Sequence, residues 1–232
     1  MAGSCAGIRV FLMFDYTFHW RVVLKQWPQL LQAGFLTLEI TVLSILFGLV
    51  IAMVLAVGRR SQNKFARMMA EIWVASARNT PALLQIYIAY FGLGTFGLHL
   101  SPYISVLSAI TFNNAGYLTE ILRGGIDSIN PSQRQTALGL GLTPIQVYIY
   151  VIFPQVLKVV FLPITNQIIL AMLNSSMGMV IGLQELTGMT TFLQSQTFRP
   201  FEFYFAAAVI YFLVAKLASS SASLIAGRCF KG

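Results

Sequence analysis

Gln167 and Asn174 stand seven residues apart in the run Gln167-Ile168-Ile169-Leu170-Ala171-Met172-Leu173-Asn174, which continues into Ser175 and Ser176. Seven residues make about two helical turns, so both amides share one helix face. Polar groups in so apolar a run either hydrogen-bond to a neighbouring helix or line a route for a polar solute. Arg78 stands three residues before Pro81. Proline lacks an N–H and frees a carbonyl in the preceding turn. In lipid, such backbone survives only where it is buried in protein or lines a cavity. Lys216 lies in another apolar run; its charge either neutralises a carboxylate or reaches the headgroups on its long stem. Glu120 and Arg123 are three apart and can pair on one face. Glu39 is near enough to the end of its run to snorkel outward.

Other chemistries lack their residues. The two histidines, His19 and His99, have no HExxH pattern and no acid beside them, so neither a metal site nor a membrane-embedded enzyme is indicated. Cys5 and Cys229 lie near opposite ends without CxxC or Cys/His spacing, which argues against a disulfide framework. No GxxxxGK[ST] phosphate loop occurs, so the chain does not hydrolyse ATP itself.

The elements that must hold these residues follow from composition. The chain has 232 residues, 57% of them hydrophobic and 9% charged. Soluble domains carry about a quarter charged residues, so this is an integral membrane protein. The net charge of +8 would point to nucleic acid in a soluble chain. Here the basic residues gather at the ends of apolar runs, and no solvated groove for phosphates exists. The first fourteen residues do not form a signal peptide, because Arg9 breaks a short apolar stretch. Met13 stands directly before Phe14-Asp15-Tyr16, so residues 1–12 are read as a possible upstream extension.

A spanning helix needs about 20 apolar residues. Five stretches supply them: 29–58, 65–93, 102–122, 155–183 and 202–227. The expectation is an all-α, polytopic protein with five transmembrane helices. It divides into an N-terminal extension and interfacial segment (1–28), a transmembrane domain (29–227) containing a cytoplasmic loop (127–153), and a tail (228–232). Arg59, Arg60, Lys64 and Arg67 follow the first span, none follows the second, and Arg123 and Arg134 follow the third. Alternate loops are basic, which places the N-terminus outside and the C-terminus inside. Gly34, Thr37, Thr41, Ser44 and Gly48 form a stripe of small residues, for packing within the chain or between subunits. Five spans are few to enclose a polar route, so a dimer is expected.

The loop between spans three and four reads Gln133-Arg134-Gln135-Thr136-Ala137-Leu138-Gly139-Leu140-Gly141, then Val151-Ile152-Phe153-Pro154. It resembles the EAA loop of permease subunits of ABC importers. Gly141, Val151 and Pro154 fall at that family's spacing, and Ala137 matches its second alanine. Gln135 replaces its acid and Thr136 its first alanine, which puts the acid's bonding role in doubt. Tyr117-Leu118-Thr119-Glu120-Ile121-Leu122-Arg123-Gly124-Gly125-Ile126 and Arg78-Asn79-Thr80-Pro81-Ala82-Leu83-Leu84-Gln85 are similar to the polar amino acid branch (histidine/glutamine/glutamate-type) of the binding-protein-dependent transport family. Leu173 stands where many relatives have lysine.

The resemblance implies a multi-pass subunit of the bacterial inner membrane. It would work with an ATP-binding ABC subunit, an extracytoplasmic solute-binding protein and a second permease copy or homologous permease, surrounded by membrane lipid and without nucleic acid. ATP and Mg²⁺ would sit on the partner, and this chain would bind no cofactor or metal. Gln135, Thr136, Ala137, Gly139, Gly141 and Pro154 would couple to the ATPase. Arg78, Pro81, Gln167, Asn174, Ser175, Ser176 and Lys216 would line the substrate pathway, and Leu173 with Lys216 leans the reading toward an acidic or amide amino acid. An ion-coupled secondary transporter is the alternative, but that class usually carries internal repeats, which this chain lacks.

Overall fold

The computed structural model describes residues 16–229, and every regular element among them is helical. The reading of residues 1–12, and residues 230–232 of the tail, lie outside this range. The helices are α1 (Trp20–Lys25), α2 (Trp27–Arg59), α3 (Lys64–Asn79), α4 (Ala82–Thr95), α5 (Pro102–Asp127), α6 (Pro131–Gly139), α7 (Pro144–Ile181), α8 (Leu186–Thr197) and α9 (Pro200–Cys229). Three of them, α2, α7 and α9, are long and apolar enough to cross a membrane, and α4 is a shorter apolar helix.

The second expected span is two helices. Helix α3 stops at Asn79, Thr80 and Pro81 are extended (ψ 141° and 137°), and α4 restarts at Ala82. The interruption expected at Pro81 is thus a full break in the helix.

Helix α5 rises about 39 Å over its 26 residues, yet it is not apolar throughout. Ser105, Thr111, Asn113, Asn114 and Thr119 are buried in it. The reason is its place: α5 is the inner helix, packed against α2, α3, α4 and α7. Its two amides, Asn113 and Asn114, hydrogen-bond to other helices, while Thr119 bonds Ala115 O of its own. Close approach is built in at Gly116, where an added Cβ would stand 2.6 Å from Ala77 Cβ. The stripe on α2 resolves the same way. Thr37, Thr41, Ser44 and Gly48 are all buried within this chain, with Gly48 against Asn114. The stripe is an intramolecular seam.

Two carboxylates lock the opposite end. Glu185 is fully buried and caps α8 by accepting from Gly188 N–H at 2.8 Å. The same carboxylate accepts from Tyr211 of α9 at 2.9 Å and Thr37 of α2 at 3.3 Å. Glu202, at the start of α9, accepts from the Tyr16 hydroxyl and from His19 N–H, and Arg199 donates to Thr17 O at 3.0 Å. The segment before α1 is thereby strapped to α9.

Glu185 joins three helices through one acceptor group. Replacing it with alanine strands buried donors. Glu185→Ala is expected to lower stability by at least about 2 kcal/mol, read as a drop in melting temperature in detergent; an unchanged melting temperature would refute this role.

Candidate functional site

The break at Pro81 organises the site. In a continuous helix, the N–H of residue 81 would donate to Ala77 O. Proline has none, and Ala77 O is instead met by two side-chain amides: Gln85 Nε2 at 3.0 Å and Asn113 Nδ2 at 3.0 Å. Gln85 Nε2 also reaches Thr80 O and Thr80 Oγ1. Asn113 Nδ2 further donates to Gln85 Oε1 at 3.2 Å. Because a carbonyl only accepts, each amide's orientation is set. The Oδ1 of Asn113 is the end left over, with no donor among the described residues.

A second relay runs parallel to the first. Ser44 donates its hydroxyl to Thr41 O, and so accepts from Asn114 Nδ2 at 3.1 Å. Asn114 Oδ1 in turn accepts from Gln167 Nε2 at 2.9 Å. Gln167 Oε1 is then the free end. Both relays start on a main-chain carbonyl and finish in an amide oxygen without a donor.

Asn113 and Gln167 both line one cleft of about 500 Å³ between α3, α4, α5 and α7. Arg78, Pro81, Gln167 and Asn174, far apart in the chain, all line it. The Asn174 side chain makes no hydrogen bond within the described residues. Arg78 is the one charged side chain in the lining, and its guanidinium lies 5.7 Å from the centre of the Tyr117 ring, within cation–π range. Three other expected pathway residues are elsewhere. Ser175 and Ser176 donate to carbonyls of their own helix, Met172 O and Leu173 O. Lys216 is exposed on α9, a helix that contributes nothing to the lining. Leu173 does not line the cleft either. Asn113 and Tyr117 are lining residues that the sequence reading passed over; the paired amides Asn113-Asn114 in an apolar stretch were the available signal.

Below the cleft, Glu120 gathers guanidinium groups from three helices. Arg59 of α2 donates to Oε1, and Arg123 of α5 donates to Oε2 through Nε at 3.0 Å and Nη2 at 2.7 Å. Arg78 of α3 stands 3.7 Å from Oε2. The expected Glu120–Arg123 pair is therefore the centre of a larger cluster. The bonds from Glu120 raise the already high pKa of Arg123, which stays charged. Glu39 is satisfied separately, accepting from Tyr103 at 2.8 Å.

Beyond Asp127, Asn130 caps α6 by accepting from Ser132 N–H at 2.9 Å. Helix α6 ends in a Schellman turn: Leu142 N–H donates to Ala137 O and Gly141 N–H to Leu138 O. Gly141 has φ +86°, a left-handed conformation that costs other residues about 1–2 kcal/mol. Ala137 is buried against Val147, Ile152, Val156 and Val160. Gln135, Thr136, Gly139, Gly141 and Pro154 are exposed. So are Leu140 (79%), Ile145 (72%) and Tyr150 (70%). Gln155 clamps α6 to α7 by donating to Gln133 at 2.7 Å. The result is a knob whose exposed surface mixes the polar face of α6 with Leu140, Ile145 and Tyr150.

Comparison with known proteins agrees with this architecture. The chain is 33% identical over 222 residues to the octopine transport system permease protein OccM of Rhizobium meliloti, covering 91% of this chain and 89% of that one. It is 31% identical over 205 residues to the glutamine transport system permease protein GlnP of Escherichia coli K12, covering 88% and 92%. A solved amino acid ABC transporter, crystallised with histidines, superposes with a TM-score of 0.87 at 31% identity, covering 92% of this chain and all of that one. Residues 19–230 match the model of the binding-protein-dependent transport system inner membrane components. The chain belongs to that family.

Proposed function

We propose that the chain is the membrane-spanning permease subunit of an ATP-driven importer for a polar amino acid, delivered by an extracytoplasmic binding protein. The observation that carries this reading is the convergence of Arg78, Pro81, Gln167 and Asn174 on one cleft. An amino acid is a zwitterion, and the cleft offers both complements. The Arg78 guanidinium suits a carboxylate. The free oxygens of Gln167 and Asn113 suit an ammonium group, while Asn174 is free to meet a side chain. With no acid in the lining, neutral and acidic amino acids are favoured over basic ones. The relative named for glutamine is in keeping with such a substrate. Selection of an acidic or amide substrate rests on Arg78 and not on Lys216.

The chain crosses the membrane five times, with α3 and α4 together forming the second crossing, α5 the third, and the N-terminus outside. Residues 29–227 form the permease domain, 127–153 its coupling loop, 1–28 the interfacial entry and 228–232 the tail. Two such chains, or this chain and a homologous one, enclose the route. Two ATP-binding subunits seat the knobs around Gly141 in their grooves, and their closure rocks the helices to alternate access. Gln135 and Thr136 lie on the docking surface. ATP and Mg²⁺ stay on those partners, and the assembly sits in the bacterial inner membrane.

A pull-down in mild detergent from native membranes tests the docking. An ATPase subunit is expected with the wild type and is expected to be lost from a folded Gly141→Arg variant; no ATPase with either would remove the importer reading. In proteoliposomes, Arg78→Gln is expected to raise the KM for uptake at least about tenfold, the loss of one charged hydrogen-bond partner. An unchanged KM would clear Arg78 of carboxylate binding.

A further inference from the structure

The charges beneath the cleft do not balance. Four guanidinium groups, those of Arg59, Arg60, Arg78 and Arg123, gather with three carboxylates, of which Glu120 and Asp127 make the ion pairs and Glu71 lines the same pocket without one. Glu120 is hydrogen-bonded by Arg59 on one oxygen and by Arg123 on the other. Asp127 takes the remaining Nη1 of Arg123 at 3.0 Å and Arg60 at 3.3 Å. Arg78 is left over. Its 3.7 Å separation from Glu120 is too long for a hydrogen bond, its side chain is 42% exposed, and it rests over Tyr117. Charge and an aromatic face hold it, and its donors remain available.

We propose that Glu120 is the positioning residue of Arg78, and that a carboxylate bound in the cleft is sensed through this pair at the cytoplasmic end of the bundle. The inference rests on the reading of the cleft as the amino acid site. A substrate carboxylate hydrogen-bonded to Arg78 is a closer anion than Glu120, so it draws the guanidinium away. Glu120 then keeps two cationic neighbours instead of three. Of those two, Arg123 belongs to the last turns of α5, which lead to the knob, and Arg59 ends α2. Asp127, bonded to the same Arg123, is the last residue of α5 before Asn130 caps α6. Coupling of this kind is reciprocal. Movement of α6 on ATPase closure shifts Glu120, weakens its hold on Arg78 and lowers the cleft's affinity for the carboxylate.

The test uses the complete transporter, with permease, ATPase and binding protein, in phosphatidylcholine nanodiscs, where no anionic headgroup competes for Arg78. The readout is the fold-stimulation of ATP hydrolysis by amino-acid-loaded binding protein. Glu120→Gln is expected to cut stimulation at least about fivefold, the lower end of usual coupling between sites. Glu120→Asp, which keeps the charge and shortens the reach, should give an intermediate loss. The Arg78→Gln/Glu120→Gln double variant should lose clearly less than the product of the two single losses, because the two share the Arg78–Glu120 contact. An assembled Glu120→Gln complex with wild-type stimulation overturns the proposal, as does a double variant whose loss is the product of the two single losses. If Glu120→Gln does not assemble, the same cycle run with Glu120→Asp decides by additivity. A wild type that recruits no ATPase would instead defeat the importer reading itself.

Discussion

One missing hydrogen atom governs the interior of this protein. Pro81 has no N–H, and the carbonyl of Ala77 that it would have satisfied lies inside the bundle. Hydrocarbon supplies no donor, and an unsatisfied backbone group there costs several kcal/mol. Gln85 and Asn113 must both turn their amide nitrogens toward it. That obligation aligns α5 with the break, and Gly116 allows the close approach to α3 that the alignment needs. Once the nitrogens are committed, the oxygen of Asn113 is left without a donor, on a residue that lines the cleft. A backbone defect is thereby converted into a fixed acceptor.

The same logic explains why the inner helix is polar and the outer ones are not. Helices α2, α7 and α9 carry apolar stretches long enough to cross a membrane, while α5 carries the buried amides. Asn114 connects Ser44 on α2 with Gln167 on α7, so one residue ties three helices together and orients the second acceptor. Further along α5, Tyr117 meets Arg78, and Glu120 collects the arginines. The cleft lining, helix packing and the arginine cluster therefore share a single helix, α5.

Much of this was legible in the sequence. The break could be read at Pro81 because proline acts on its own backbone, and the turn at Gly141 because only glycine sits easily at φ +86°. The face shared by Gln167 and Asn174 followed from helical spacing. What escaped the reading depends on neighbours distant in the chain. Lys216 could be read equally as a partner for a carboxylate or as a side chain reaching the headgroups; it is exposed on α9, which does not line the cleft. Ser175 and Ser176 satisfied themselves on their own helix, an option open to any serine there. Asn113, Glu185 and the arginines around Glu120 have roles that exist only when α2, α3, α5 and α9 are brought together. The stripe on α2 could not be assigned to packing within or between chains until Ser44 was seen against Asn114.

The central claim is that the cleft at the Pro81 break holds the amino acid and changes sides with the nucleotide state. Its most direct test is the reactivity of a single thiol in the cleft. The chain has two cysteines, and replacing Cys5 and Cys229 with serine leaves Asn174→Cys as the sole target. With the transporter in proteoliposomes, an impermeant maleimide is predicted to label this thiol from one side without nucleotide and from the other with trapped ATP, and a transported amino acid should slow the labelling. Labelling that is the same in both states and indifferent to every amino acid would contradict the account.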